Sequence, residues 1–144
     1  MKKLTLESVS NEKKDFKKII DEIPTDYYLI DFWATWCAPC IQGFKTMKSM
    51  DLPDNVKVIS ISVDKNKDKE KWIKTTNKLN QSISYWIDGT DNNTQKFMNF
   101  IEMKSIPRYV LIDKNMNLID QAFYHPSNSQ FIKKLKDVKN HKYW

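Results

Sequence analysis

The sequence predicts an α/β fold in which helices cover both faces of a central mixed β-sheet. Three observations carry that reading. Two short runs, Tyr27–Trp33 and residues 56–63, are rich in β-formers with little polar alternation, as in strands buried on both sides. Segments with apolar residues at helical spacing separate and surround them. Residues 108–112 and Leu118–Phe123 are strand-like runs separated only by the turn-forming residues 113–117, which predicts an antiparallel hairpin.

The elements follow in order. Residues 11–22 place Phe16, Ile19, Ile20 and then Ile23 at helical spacing, closed by Pro24, and the first buried strand follows. Residues 39–50 return to helical spacing through Ile41, Phe44, Met47 and Met50, ahead of the second strand. Residues 67–79 are polar with Trp72, Ile73 and Leu79 as apolar positions, and residues 94–101 carry Phe97, Met98, Phe100 and Ile101, so both read as covering helices. After the hairpin, residues 127–138 form a last amphipathic helix with Ser127 and Ser129 as candidate caps.

Bulk properties narrow the function classes. A chain of 144 residues with no repeat, no low-complexity tract and only two glycines is read as a single domain, 1–144. The net charge of +6 comes from lysines interspersed with acids, the pattern of solvated helix faces, so no nucleic-acid partner is inferred. No apolar stretch reaches the roughly 18 residues of a spanning helix, and the first residues lack a signal-peptide core, so the sequence reads as soluble without a membrane span. Two cysteines three positions apart are too few for a disulfide scaffold or a self-contained zinc site and point to redox chemistry.

Their position is as informative as their number. Cys37-Ala38-Pro39-Cys40 follows a buried strand and opens a helix. A thiol there meets unpaired backbone N–H groups and the positive end of the helix dipole, which stabilise its thiolate. Cys37 is therefore the candidate nucleophile and Cys40, one turn on, the resolving thiol. Pro39 removes an N–H that would lack a partner at the helix start.

The segment from Asp31 through Phe32, Trp33, Ala34, Thr35 and Trp36 to Cys37 and Cys40 resembles the active-site region of thioredoxins and of the TlpA/ResA-like bacterial thiol-disulfide oxidoreductases. The likeness extends to residues 58–64, 105–113 and 125–127, and so covers roughly residues 25–138. The long stretch between Asp64 and Ser105 is more similar to the TlpA-like branch. The resemblance implies a thioredoxin fold, a cis-proline at Pro107 preceded by Ile106 that holds substrate backbone beside the cysteines, and a buried acid, Asp31, that moves a proton at Cys40. A solvent-facing Asp31 at a strand end is the alternative. Thioredoxins carry a lysine near this acid on the next strand, where the present sequence has Ser60. TlpA/ResA-like proteins carry a glutamate and a proline after the second cysteine, where Gly43 and Lys45 stand, and Gly43 is expected to give the helix local flexibility.

Trp36, Ala38, Pro39, Ile106 and Pro107 make up the expected substrate rim. Trp33 reads as rim or core, and Trp72 and Trp86 as core or cover. Trp144 has no motif support, and neither His125 nor His141 joins the cysteines in a motif, so no metal is expected and no cofactor beyond the Cys37–Cys40 disulfide. The implied activity is disulfide exchange with protein substrates, leaning to reduction, by a monomer recycled by an upstream redox partner. Family resemblance places it in the periplasm or cell envelope, with the cytoplasm as alternative. Two other readings remain: a non-catalytic thioredoxin-fold binding module using the Trp-rich rim, and the C-terminal redox domain of a longer protein.

Overall fold

The buried run Tyr27–Trp33 becomes β3, the central strand of a seven-stranded sheet in a computed structural model that describes residues 1–140. The elements in chain order are β1 (Thr5–Ser8), β2 (Lys13–Asp15), α1 (Phe16–Glu22), β3, α2 (Ala38–Lys48), β4 (Val56–Ser62), α3 (Lys69–Leu79), β5 (Ser84–Ile87), α4 (Asn92–Phe100), β6 (Arg108–Asp113), β7 (Leu118–Phe123) and α5 (Gln130–Lys139). The sheet order is β2-β1-β5-β4-β3-β6-β7. β3, β4 and β5 run parallel, and β6 and β7 add antiparallel on the other side of β3. The sheet is mixed, as its strand patterns foretold, and every residue of β3 is buried because both its faces are covered.

Three elements depart from the sequence reading. Residues 13–15, inside the expected first helix, form β2, so α1 begins only at Phe16. β1 and β5 are short strands with no sequence expectation. All three lie at one side of the sheet and owe their form to pairing: Leu6 sits opposite Lys14 on one flank and Ile87 on the other. Strands of three or four residues hold too little periodic signal to be read locally, and tertiary pairing overrides weak propensity.

The core divides by sheet face. Tyr28, Ile30 and Phe32 of β3 pack with Leu4, Phe16, Ile19, Ile59, Ile61, Val110 and Ile112. Tyr27, Leu29, Tyr109 and Leu111 pack instead with Met47 of α2 and with Phe131, Leu135 and Val138 of α5. At the C-terminal end of β3, Trp33, Cys37, Cys40, Trp72 and Trp86 form a third cluster. α5 starts without the expected serine caps: Ser129 occupies the cap position but its side chain makes no capping bond, and the Ser127 hydroxyl is taken by His125. His141 and Trp144 lie outside the described residues. Among those described, no helix is long and apolar enough to cross a membrane.

Candidate functional site

Parallel strands align their C-terminal ends, and the turn from β3 into α2 therefore opens at one edge of the sheet, the usual place for a site in such folds. The turn is fixed by backbone and side-chain bonds. Val63 N–H donates to the Trp33 carbonyl at 2.8 Å and Cys37 N–H to the Ala34 carbonyl at 3.1 Å. The carboxylate of Asp64 accepts from Thr35 Oγ1 at 2.8 Å, from Thr35 N–H at 3.1 Å, and from Ser62 Oγ at 2.6 Å. Asp64 thus clamps the loop that presents Cys37. Its own carbonyl accepts from Trp86 Nε1 at 2.7 Å, which ties the clamp to the tryptophan cluster. On the sequence alone Asp64 is only the acid ending a strand.

Cys37 is the N-cap of α2 and is joined by a disulfide to Cys40, with their Cα atoms 5.3 Å apart. Cys40 N–H lies 3.3 Å from Cys37 Sγ, so the sulfur takes the place of a capping oxygen and accepts an otherwise unpaired helix N–H. A thiolate in this place gains the N–H bond and the helix dipole together. Cys40 is buried at 1% exposure and Cys37 at 4%.

The expected rim residues lie around the pair with different exposures. Trp36 is 68% exposed, and Ala38 and Pro39 are also on the surface. Ile106 is half-buried and packs against the cluster containing both cysteines, and the Ile106–Pro107 bond is cis. Trp33, in contrast, is fully in the core against those cysteines, and Trp72 and Trp86 are core as well. Trp72 Nε1 donates to Ser84 Oγ at 3.1 Å, and Lys69 sits 4.0 Å over the Trp86 ring while bonding Glu7 at 2.9 Å.

Asp31 lies on β3 at 0% exposure, which removes the solvent-facing alternative. Burial alone raises its carboxyl to about 7. Its neighbours across the sheet are Ser60 on β4 and Tyr109 on β6, so the position where a lysine would compensate the charge holds a hydroxyl. Tyr109 is also buried, and its phenol is pushed well above its ordinary range, first by burial and second by the charge of Asp31.

Two further residues, Gly43 and His125, enter this corner. A Cβ on Gly43 would collide with Tyr109 Oη and lie 2.9 Å from His125 Nε2. The position therefore serves close packing and not the expected flexibility, and α2 runs unbroken through it. His125 Nε2 bonds the Pro39 carbonyl at 3.1 Å, so the histidine reaches the peptide between the two cysteines from 86 residues away. No local pattern signals this contact, because it depends on where β7 delivers the chain before α5. Among the described residues, no three His, Cys, Asp or Glu side chains are grouped to hold a metal.

The family's sequence model, described as thioredoxin-like, matches residues 25–118, which contain β3, the cysteine pair, Asp64 and Pro107. The chain belongs to the thioredoxin-like family. Its relatives include the thioredoxin of Bacillus subtilis, 38% identical over 42 residues, which are 28% of this chain and 40% of that protein. The thioredoxin of Rickettsia bellii is 42% identical over 40 residues, 26% of this chain and 38% of its own. The chain thus spans about two fifths of the length of the curated relatives it matches. The solution structure of a provisionally assigned thiol-disulfide oxidoreductase from Bacteroides vulgatus superposes with a TM-score of 0.76 at 23% identity, over 98% of this chain and 92% of that one. That likeness establishes the thioredoxin-like fold across nearly the whole chain, including the strands β1 and β2 that precede the family match.

Proposed function

We propose that this thioredoxin-like protein is a thiol-disulfide oxidoreductase that exchanges disulfides with protein substrates through Cys37 and Cys40, with net flow towards substrate reduction. The observation that carries the reading is the placement of the pair: Cys37 caps α2 and accepts the Cys40 N–H, while Asp31 lies buried on the strand feeding that helix.

In the reducing direction the Cys37 thiolate attacks one sulfur of a substrate disulfide, forming a mixed disulfide and releasing the other substrate sulfur as a thiolate, which takes a proton. Cys40 gives its proton to Asp31 and attacks Cys37 Sγ, forming the intramolecular disulfide and expelling the second substrate thiol. Two electrons pass from the protein dithiol to the substrate. An upstream dithiol donor then returns the pair to the reduced state, and no cofactor beyond the disulfide takes part. Asp31 suits the proton step because its raised value lies near neutrality, where a carboxylate can accept a thiol proton and later release it. The substrate chain lies along Trp36, Ala38 and Pro39 on one side and Ile106-Pro107 on the other.

The reducing direction is supported by the Ala-Pro dipeptide between the cysteines and by Ile106, which resemble reducing members of the family. Kinship also supports a cell-envelope location, and the reading takes the protein as a monomer. The test is the reduction potential of the pair, followed by tryptophan fluorescence in glutathione or dithiothreitol buffers. A value near about −270 mV supports a reductase, and one near about −120 mV overturns the direction in favour of thiol oxidation. Failure of the protein to accelerate insulin reduction by dithiothreitol, together with no reversible two-electron transition, overturns the activity and leaves a binding module.

A further inference from the structure

His125 opens the 125–127 segment of the family likeness but joins the cysteines in no sequence motif, and its ring is held from two sides. Ser127 N–H donates to Nδ1 at 3.1 Å and the Ser127 hydroxyl lies 2.8 Å from the same nitrogen. A backbone N–H can only donate, so Nδ1 is an acceptor and the ring proton of the neutral imidazole resides on Nε2. That N–H points at the Pro39 carbonyl, 3.1 Å away.

The Pro39 carbonyl and the Cys40 N–H belong to one peptide unit. The Cys40 N–H is the group facing the nucleophile, 3.3 Å from Cys37 Sγ and 3.1 Å from the Cys37 carbonyl. A donor on the carbonyl end of a peptide increases the positive character of its N–H end, so hydrogen bonds in series strengthen one another. The ring also fixes the orientation of that peptide plane. Gly43 leaves open the space it enters, and the Tyr109 ring meets it edge to face with centroids 5.8 Å apart.

We propose that His125 is a positioning residue for the nucleophile: by donating Nε2–H to the Pro39 carbonyl it orients and polarises the Pro39–Cys40 peptide, whose N–H stabilises negative charge on Cys37 Sγ. The role rests on the oxidoreductase reading and adds to it a residue reached only through the tertiary fold. It makes the thiolate-bearing, reduced form more favourable, and so shifts the pair towards a less reducing potential. The other ionisable groups of this corner are Asp31 on β3, Tyr109 on β6 and Asp64 after β4. All are retained in the variants below.

The test compares wild type, His125→Ala and His125→Gln, the last keeping a side-chain N–H donor. The readout is the pH profile of Cys37 alkylation by iodoacetamide in the reduced protein, with circular dichroism to verify the fold. His125→Ala is expected to raise the midpoint by about half a unit, slowing alkylation roughly threefold below it, and to make the pair more reducing. His125→Gln is expected to recover most of the shift. Superimposable profiles for wild type and His125→Ala overturn the proposal, as does a shift that His125→Gln leaves uncorrected, which would assign it to packing. A wild type that shows the His125-dependent shift but fails to exchange with insulin sinks the oxidoreductase reading and leaves the positioning role standing.

Discussion

Asp31 and Tyr109 stand directly opposite each other on β3 and β6, both buried, and neither the carboxylate oxygens nor the phenol oxygen makes a hydrogen bond among the described residues. Cross-strand partners of this kind hold their Cβ atoms roughly 5 Å apart. A carboxylate so placed has no compensating donor, which is why its proton is retained to about 7. Burying this carboxyl costs stability once it ionises, and Ser60 stands where a lysine would reduce the cost.

The sign of the pH dependence follows. An unfolded Asp31 releases its proton near the ordinary 3.8, the folded one near 7. Between these values the native state binds more protons, so stability from this group falls as pH rises and is lowest above about 7. Asp31→Asn is expected to stabilise the protein by on the order of 4 kcal/mol at pH 8 and by little at pH 4, measured by urea unfolding at both. The same variant should slow release of the mixed disulfide by at least about tenfold at pH 7. Equal stabilisation at both pH values would contradict the buried, charged state assigned to Asp31.

Ser60 offers the converse experiment. It pairs with Asp31 on β4 and borders a groove of about 420 Å³ walled by Phe44, Met47, Val58 and Ile83, room for a longer side chain. Ser60→Lys would place an ammonium beside the carboxylate and lower its value by about one to three units. NMR titration of Asp31 should report the drop, and the pH window of declining stability should move down with it.

At Gly43, helix propensity and packing give opposite signs. Alanine in a helix interior gains about 1 kcal/mol over glycine. A Cβ there would collide with Tyr109 Oη and crowd His125, and overpacking of that kind costs about 1–3 kcal/mol. Gly43→Ala is therefore expected to lower the denaturant midpoint. Gly89→Ala, whose Cβ meets nothing within 4 Å, should leave it nearly unchanged.

Separation of the two cysteine roles is checked by trapping. Cys40→Ser should accumulate a mixed disulfide with substrate that survives on a non-reducing gel, because the attacking thiol of the second step is gone. Cys37→Ser should form none, since the thiol at the helix N-cap, whose sulfur accepts the Cys40 N–H, is then gone. Adduct formation by Cys37→Ser would reverse the assignment of nucleophile and resolving thiol.

Trp36, at 68% exposure beside the nucleophile, contributes little to the core. Trp36→Ala should change stability by less than about 0.5 kcal/mol while weakening protein-substrate binding, read as a raised KM for a folded disulfide substrate. An unchanged KM would remove it from the rim.

The sequence by itself determined the architecture's centre and the placement of the cysteine pair at a helix start. Tyr27–Trp33 could only be a strand covered on both faces, and a Cys-Ala-Pro-Cys run opening the next helix places a thiol at unpaired N–H groups whatever surrounds it. Those are local consequences of apolar patterning and helix geometry. The state of Asp31 needed more, because a carboxylate on a strand is exposed or buried according to which helix lies over it. Only the tertiary structure decided that it is fully buried and that Ser60 and Tyr109 flank it. β1, β2 and β5 likewise exist through pairing at the sheet edge and carry too few residues to show a period. His125 and Gly43 are the clearest case. His125 joins the segment between β7 and α5 to the peptide between the cysteines in the space Gly43 leaves, and a hydrogen bond spanning 86 residues leaves no trace in local pattern, since only chain topology brings its two ends together.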